Sequence, residues 1–129
     1  RDVASVLLFG HIGKLSKVAA GIFYTHNRIA DARLETMAAY AASAGLPQVE
    51  VRRLLAANTT EDALTVLNAA GLRQCVCQTL AERASIRAER YLFGKLKVGT
   101  VMVTLTGELL GMDETAREIG ERYGWTLPQ

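Results

Sequence analysis

Both histidines of this 129-residue chain, His11 and His26, stand at the two ends of one short unit. Lys14 and Lys17 lie beside the first, and Thr25 and Arg28 beside the second. The unit opens with the apolar run Val6-Leu7-Leu8-Phe9 and continues as Gly10-His11-Ile12-Gly13-Lys14. An apolar run of this length fits a buried strand, and the two glycines fit a tight turn off its end. Such a corner exposes free N–H groups at the start of a helix, and these attract anions. The carboxyl end of a strand in an open α/β sheet is also where a ligand sits. The spacing departs from a Walker loop, which has four residues between its glycines where this chain has two, and the Rossmann fingerprint is missing. The residues themselves admit two readings: a ligand-facing loop of Gly10, His11, Gly13 and Lys14 with a second rim at His26 and Arg28, or an ordinary strand-to-helix turn whose glycines serve packing alone.

Other chemistries fit less well. Between His11 and His26 runs a helical pattern of about a dozen residues, which at about 1.5 Å per residue separates them by roughly 18 Å. One metal ion cannot take both, and neither Cys nor carboxylate offers ligand spacing nearby, so no protein-bound metal is expected. Ser-His-Asp order and an activated-cysteine context are missing, which removes support for hydrolase chemistry. Cys75 and Cys77 sit two apart in a helical segment and point to different faces. They read as a buried, reduced pair. Arg28, Asp31, Arg33 and Glu35 alternate in charge, as a solvated corner does, although arginine forks also grip carboxylates. Arg83, Arg87 and Arg90 read as a solvated face or an interface with an absent domain, with ligand binding as the alternative. Asn58-Thr59-Thr60 reads as a helix stop followed by a cap.

The elements that position these residues follow from periodicity. Val3 to Phe9 is apolar throughout, as a strand covered on both faces should be. Leu15, Val18, Ala19, Ile22 and Phe23 recur at helical spacing. Asp31 is placed to cap an alanine-rich helix reaching about Ala44, with Leu34, Met37, Ala38 and Ala41 inward. Pro47 opens a third helix, with Val51, Leu54 and Leu55 inward, to Asn58. Thr59 or Thr60 caps a fourth, ending at Gly71. A fifth spans about Leu72 to Leu92, with Val76, Leu80, Ala84, Ala88 and Tyr91 inward and Glu82, Arg83, Arg87, Glu89 and Arg90 outward. Val98 to Leu105 changes to strand composition and is the expected neighbour of the first strand. Leu109-Leu110 adds a short strand, and Asp113 caps a last helix with Ala116, Ile119 and Tyr123 inward. The sum is a single, helix-rich α/β domain over residues 1–129, with a small, mostly parallel sheet and several flanking helices.

Composition narrows the function classes. Half the residues are hydrophobic and 22% are charged, which is a folding composition. A net charge of +2, with basic residues not interleaved with aromatics, gives no footprint for nucleic acid. No apolar stretch approaches the roughly 20 residues that span a bilayer. The absence of an initiator Met, with a strand almost at once, predicts a piece of a longer protein, and the reduced cysteine pair predicts a cytoplasmic setting.

The chain resembles the C-terminal part of the cobalt-precorrin-5B C(1)-methyltransferase family (CbiD). The matching words are Leu7-Leu8-Phe9-Gly10-His11-Ile12-Gly13-Lys14-Leu15, Lys17-Val18-Ala19-Ala20-Gly21-Ile22-Phe23 and Thr25-His26. Downstream, Ala30-Asp31-Ala32-Arg33, Ala57-Asn58-Thr59-Thr60-Glu61 and Gly107-Glu108-Leu109-Leu110-Gly111 agree in order and spacing. Tyr24 departs from the Asn expected there. The resemblance implies the C-terminal part of a longer two-domain enzyme, inactive alone, that moves a methyl group from S-adenosylmethionine to a ring carbon of a cobalt-containing tetrapyrrole. The cobalt belongs to the macrocycle, and the carboxylate arms of that ring want arginines, lysines and helix N-termini. The resemblance carries no catalytic residue onto this chain and leaves self-association open. The alternative it leaves is a non-catalytic ligand-binding or docking half, with the chemistry in the absent N-terminal region. An unrelated nucleotide-binding α/β domain is a third reading, poorly served by the incomplete phosphate loop.

Overall fold

The computed structural model describes residues 5–23 and 32–124. Ser5–His11 forms β1 and runs straight into α1 (Ile12–Ala19). Four helices follow: α2 (Arg33–Ser43), α3 (Gln48–Leu55), α4 (Thr60–Ala69) and the long α5 (Arg73–Tyr91). The chain then returns to the sheet as β2 (Lys97–Val103), turns into β3 (Leu109–Met112) and ends in α6 (Glu114–Tyr123). β2 lies between the other two strands, parallel to β1 and antiparallel to β3. Parallel neighbours need a crossover, which α1 to α5 supply, whereas a short turn suffices for β2–β3. The helix-rich α/β class expected from the periodicity holds, as does the pairing of the first strand with the valine-rich one.

β2 is buried on both faces because its residues alternate between two layers. Thr100 and Met102 face α5, while Gly99, Val101 and Val103 face α6. Two glycines permit the closest approaches. A Cβ on Gly99 would stand 2.6 Å from the Ala116 amide nitrogen in α6, and one on Gly111 would stand 2.6 Å from the Cys77 carbonyl oxygen in α5. Asp113 ties the layers together. Its Oδ1 accepts from the Thr100 amide at 3.0 Å and caps α6 through the Ala116 amide at 2.9 Å. On the other face the Thr100 and Ser85 hydroxyls share a 2.7 Å hydrogen bond. These partners satisfy polar groups that would otherwise be costly to bury.

Several sequence expectations are corrected. β1 lies at the edge of the sheet with Phe9 half exposed, because α6 crosses β2 and leaves the β1 side of that face open. Tyr91 and Tyr123, expected inward, are exposed, since each falls in the last turn of its helix, past the layer it packs on. Arg83 and Arg87, placed outward, are half-buried with their Nε atoms withdrawn from solvent. Of the two free thiols Cys77 is buried and Cys75 exposed, as residues about 200° apart on a helix must be. Burial pushes the Cys77 thiol up to about 12, against a smaller opposing pull from Arg73. α2 starts at Arg33 with Ala32 at its N-cap, and the expected cap Asp31 lies outside the described residues. α3 stops at Leu55, whose side chain is exposed. Among the described residues, no helix is long and apolar enough to cross a membrane.

Candidate functional site at the joined helix starts

β1 and β2 run parallel, so their carboxyl ends, His11 and Val103, lie side by side. Three helix N-termini gather at that edge. The first belongs to α1, where the extended His11 occupies the N-cap and its side chain caps no amide. The first turn of α1 carries no acidic residue. The second belongs to α2, whose N-cap alanine has no side-chain acceptor to offer. The third belongs to α4, capped by Thr59 through the Asp62 amide at 3.0 Å.

Gly13 marks where the three converge. A Cβ placed there would lie 3.6 Å from Thr60 Oγ1, 3.9 Å from Arg33 Nη1 and 3.9 Å from His11 Nδ1. Glu61 at the start of α4 reaches the end of β2, its Oε2 accepting from the Leu105 amide at 3.4 Å. Next to this corner a cavity of about 160 Å³ is lined by Arg33, Leu34, Glu35, Asn58, Thr59 and Thr60. Each helix start carries roughly half a positive charge on its unsatisfied amides. Glu35, Glu61 and Asp62 offset this in α2 and α4, while α1 has no such offset. The corner is therefore rich in donors: two helix starts without a side-chain cap, a guanidinium, a threonine hydroxyl and an imidazole. That arrangement suits holding a carboxylate better than moving a proton.

The candidate residues from the sequence are distributed unevenly. Gly10 and His11 complete β1, and Ile12 opens α1, so the expected glycine turn is instead a direct strand-to-helix joint. At Gly10 a Cβ would make only an ordinary contact, 3.7 Å from the Leu15 side chain, so packing does not demand a glycine there. His11 is half-buried at the joint, Gly13 sits in the first turn of α1, and Lys14 is exposed. None of the four lines the 160 Å³ cavity, which they approach through Gly13. His26 and Arg28 lie outside the described residues. Arg33, Asn58 and Thr60 belong to the corner; from sequence Arg33 was read in a charge cluster whose arginine forks can also grip carboxylates, and Asn58 and Thr60 as a helix stop and cap. The available signal was that each stands at a helix start, but distant helix starts are joined only by the fold.

A larger cavity, of about 500 Å³, opens at the other end of α4, between Asn68, Arg73, Gln78, Glu108, Gly111 and Arg117. Four of its lining residues are already engaged with one another in two pairs. Arg73 pairs with Glu108 at 2.9 Å, and the Gln78 amide bonds both the carbonyl and the amide of Met112, at 2.6 and 3.1 Å. At the β1 corner the start of α1 has neither a side-chain cap nor an acidic residue in its first turn, which makes the corner the better ligand site. Among the described residues, no group of three or more His, Cys, Asp or Glu is arranged to hold a metal ion.

The family model described as CbiD, C-terminal domain, matches residues 24–114. A Moorella thermoacetica protein named cobalt-precorrin-5B C(1)-methyltransferase is 46% identical over 125 residues, covering 97% of this chain and 34% of its own length. Proteins of the same name from Desulfitobacterium hafniense and a Thermoanaerobacter species are 44% and 40% identical, over 99% and 93% of this chain and 33% and 31% of their own lengths. The chain thus spans about a third of the length of these curated relatives. No solved structure matches it.

Proposed function

The chain belongs to the CbiD C-terminal domain family, and on that premise we propose that it is the ligand-holding C-terminal part of a cobalt-precorrin-5B C(1)-methyltransferase. S-adenosylmethionine, when bound, supplies the methyl group from its sulfonium, and a ring carbon of a cobalt-containing tetrapyrrole receives it. The cobalt belongs to the substrate. Such a transfer asks the protein chiefly for alignment and exclusion of water. It gives an anchoring corner a larger part than an acid or base.

The observation that supports this reading is the meeting at Gly13 of the α1, α2 and α4 starts, with His11, Arg33 and Thr60 within 4 Å of one point. A cavity of about 160 Å³ accepts a carboxylate on a short arm and is too small for a macrocycle or a whole nucleoside. The corner therefore anchors one acid group of a ligand whose body lies outside it. Gly13 turns the start of α1 toward that group with His11 beside it, Lys14 is assigned to the exposed edge of the same ligand, and His26 and Arg28, outside the described residues, are assigned to a second rim. The rest of the full-length enzyme covers the ligand, in the cytoplasm, and this part alone is inactive.

The test is methyl transfer by the full-length enzyme with His11→Ala and Lys14→Ala. The double variant should lose at least 100-fold in kcat/KM while its melting temperature stays within a few degrees. Near-normal turnover refutes the anchoring role. Because the chain spans only a third of its relatives, a purely docking role is the second reading. Calorimetric titration of the chain with S-adenosylhomocysteine separates the two, since one-to-one binding excludes a domain that only docks.

A further inference from the structure

A pair of cations remains outside the corner. Arg83 and Arg87 lie one turn apart on α5, each half-buried, and each Nε is sealed from solvent without a hydrogen-bond partner. Neither guanidinium forms an ion pair among the described residues. A buried donor left unmade is expensive, and like charges at this spacing repel. The acids that share α5 with them are engaged elsewhere. Glu89 accepts from the Val98 amide at 2.8 Å, and Glu82 is bonded by Gln78 at 3.4 Å. The Arg87 guanidinium is held against the backbone just past α1, where a Cβ on Gly21 would lie 3.2 Å from its Nη1 and 3.7 Å from its Cζ. Gly21 is in the left-handed region at φ 86°, so the backbone there leaves room for the arginine.

One turn beyond Arg87, Tyr91 stacks on Phe23 with ring centroids 4.2 Å apart and planes at 20°. Tyr91 remains 59% exposed. Arg83, Arg87 and Tyr91 fall at i, i+4 and i+8, one stripe of α5 about 12 Å long. Two forked cations followed by a flat aromatic face form a surface for a ring that bears acid groups along its edge.

We infer that Arg83 and Arg87 form a second carboxylate site, which grips the acid side arms of a flat macrocyclic ligand lying over the Phe23–Tyr91 stack. The choice of a macrocycle rests on the function proposed above, whereas the carboxylate chemistry rests on the arginines alone. The probe is coproporphyrin III, a flat ring with four propionates, titrated into the 129-residue chain by Soret absorbance. Arg83→Gln and Arg87→Gln should each weaken binding about tenfold, and the double variant about 100-fold. Arg83→Lys with Arg87→Lys should fall between, because the charges stay and the forks are lost. A tetracationic porphyrin should gain no affinity from either arginine. Melting temperatures of the variants should equal or exceed that of the parent, since unpaired cations are being removed. Equal coproporphyrin binding by parent and double variant overturns the site, as does a parent that binds none. A loss of several degrees on Arg→Gln overturns it too, since the arginines would then be structural partners. His11→Ala in the same titration should leave the arginine-dependent difference unchanged. A failed anchoring corner and a failed arginine pair therefore give different results.

Discussion

Adding one methyl group at each of two glycines should move stability in opposite directions. In Gly111→Ala the new Cβ meets only backbone: the Cys77 carbonyl oxygen at 2.6 Å, its carbon at 2.9 Å and Gln78 Cα at 3.1 Å. Reaching an ordinary contact of 3.4 Å requires β3 and α5 to separate by about 0.8 Å. The two Gln78–Met112 hydrogen bonds span that same gap and hold it closed. Overpacking of this kind costs about 1–3 kcal/mol, and weakening these bonds puts the expected loss near the top of that range. For a domain of this size that is a fall in melting temperature of about 8–12 °C. In Gly13→Ala the nearest atom is the Thr60 hydroxyl at 3.6 Å, an ordinary contact, and the position is helical with φ outside the left-handed region. Alanine is there the better helix former by about 0.5 kcal/mol, so the melting temperature should rise by about 2 °C. Ligand anchoring should suffer nonetheless, because the methyl group occupies the point where His11, Arg33 and Thr60 meet. Thermal unfolding followed by circular dichroism reads both variants. Equal destabilisation by the two would refute the geometry of the corner, and an unperturbed Gly111→Ala would refute the packing of β3 on α5.

Asp113→Ala removes both the α6 cap and the acceptor for the buried Thr100 amide, and should cost about 2–4 kcal/mol in urea unfolding, whereas Asp113→Asn, which keeps one acceptor oxygen, should cost less. The thiols should differ sharply: at pH 8 a disulfide reagent should titrate one thiol per native chain, Cys75, and a second, Cys77, only after denaturation. Because folding raises the Cys77 value from about 9 to about 12, its contribution is complete below pH 9. Above that the unfolded thiol ionises while the folded one does not, so stability should fall by up to about 1.4 kcal/mol per pH unit toward pH 12. Cys77→Ser, which ionises in neither state, should flatten this slope, and an unchanged slope would assign the alkaline loss to other groups.

Local chemistry in the chain was sufficient for most elements and their ends. Thr59 and Asp113 were readable as caps because a short acceptor before an apolar-periodic run bonds amides only a few residues away. The first strand was readable from its apolar run and the second from its valines and threonines, and the expected pairing of the two holds. What distance along the chain conceals, tertiary structure decided. That Gly13, Arg33 and Thr60 share one point follows from how α1, α2 and α4 pack around the crossover, and no period in the sequence encodes it. That Phe9 stays half exposed depends on where α6 lands on the sheet. The arginines of α5 show the boundary most plainly. Their spacing predicts a shared stripe, but only tertiary packing buries two of their guanidinium nitrogens without giving them partners, because burial is a property of neighbours and not of residues.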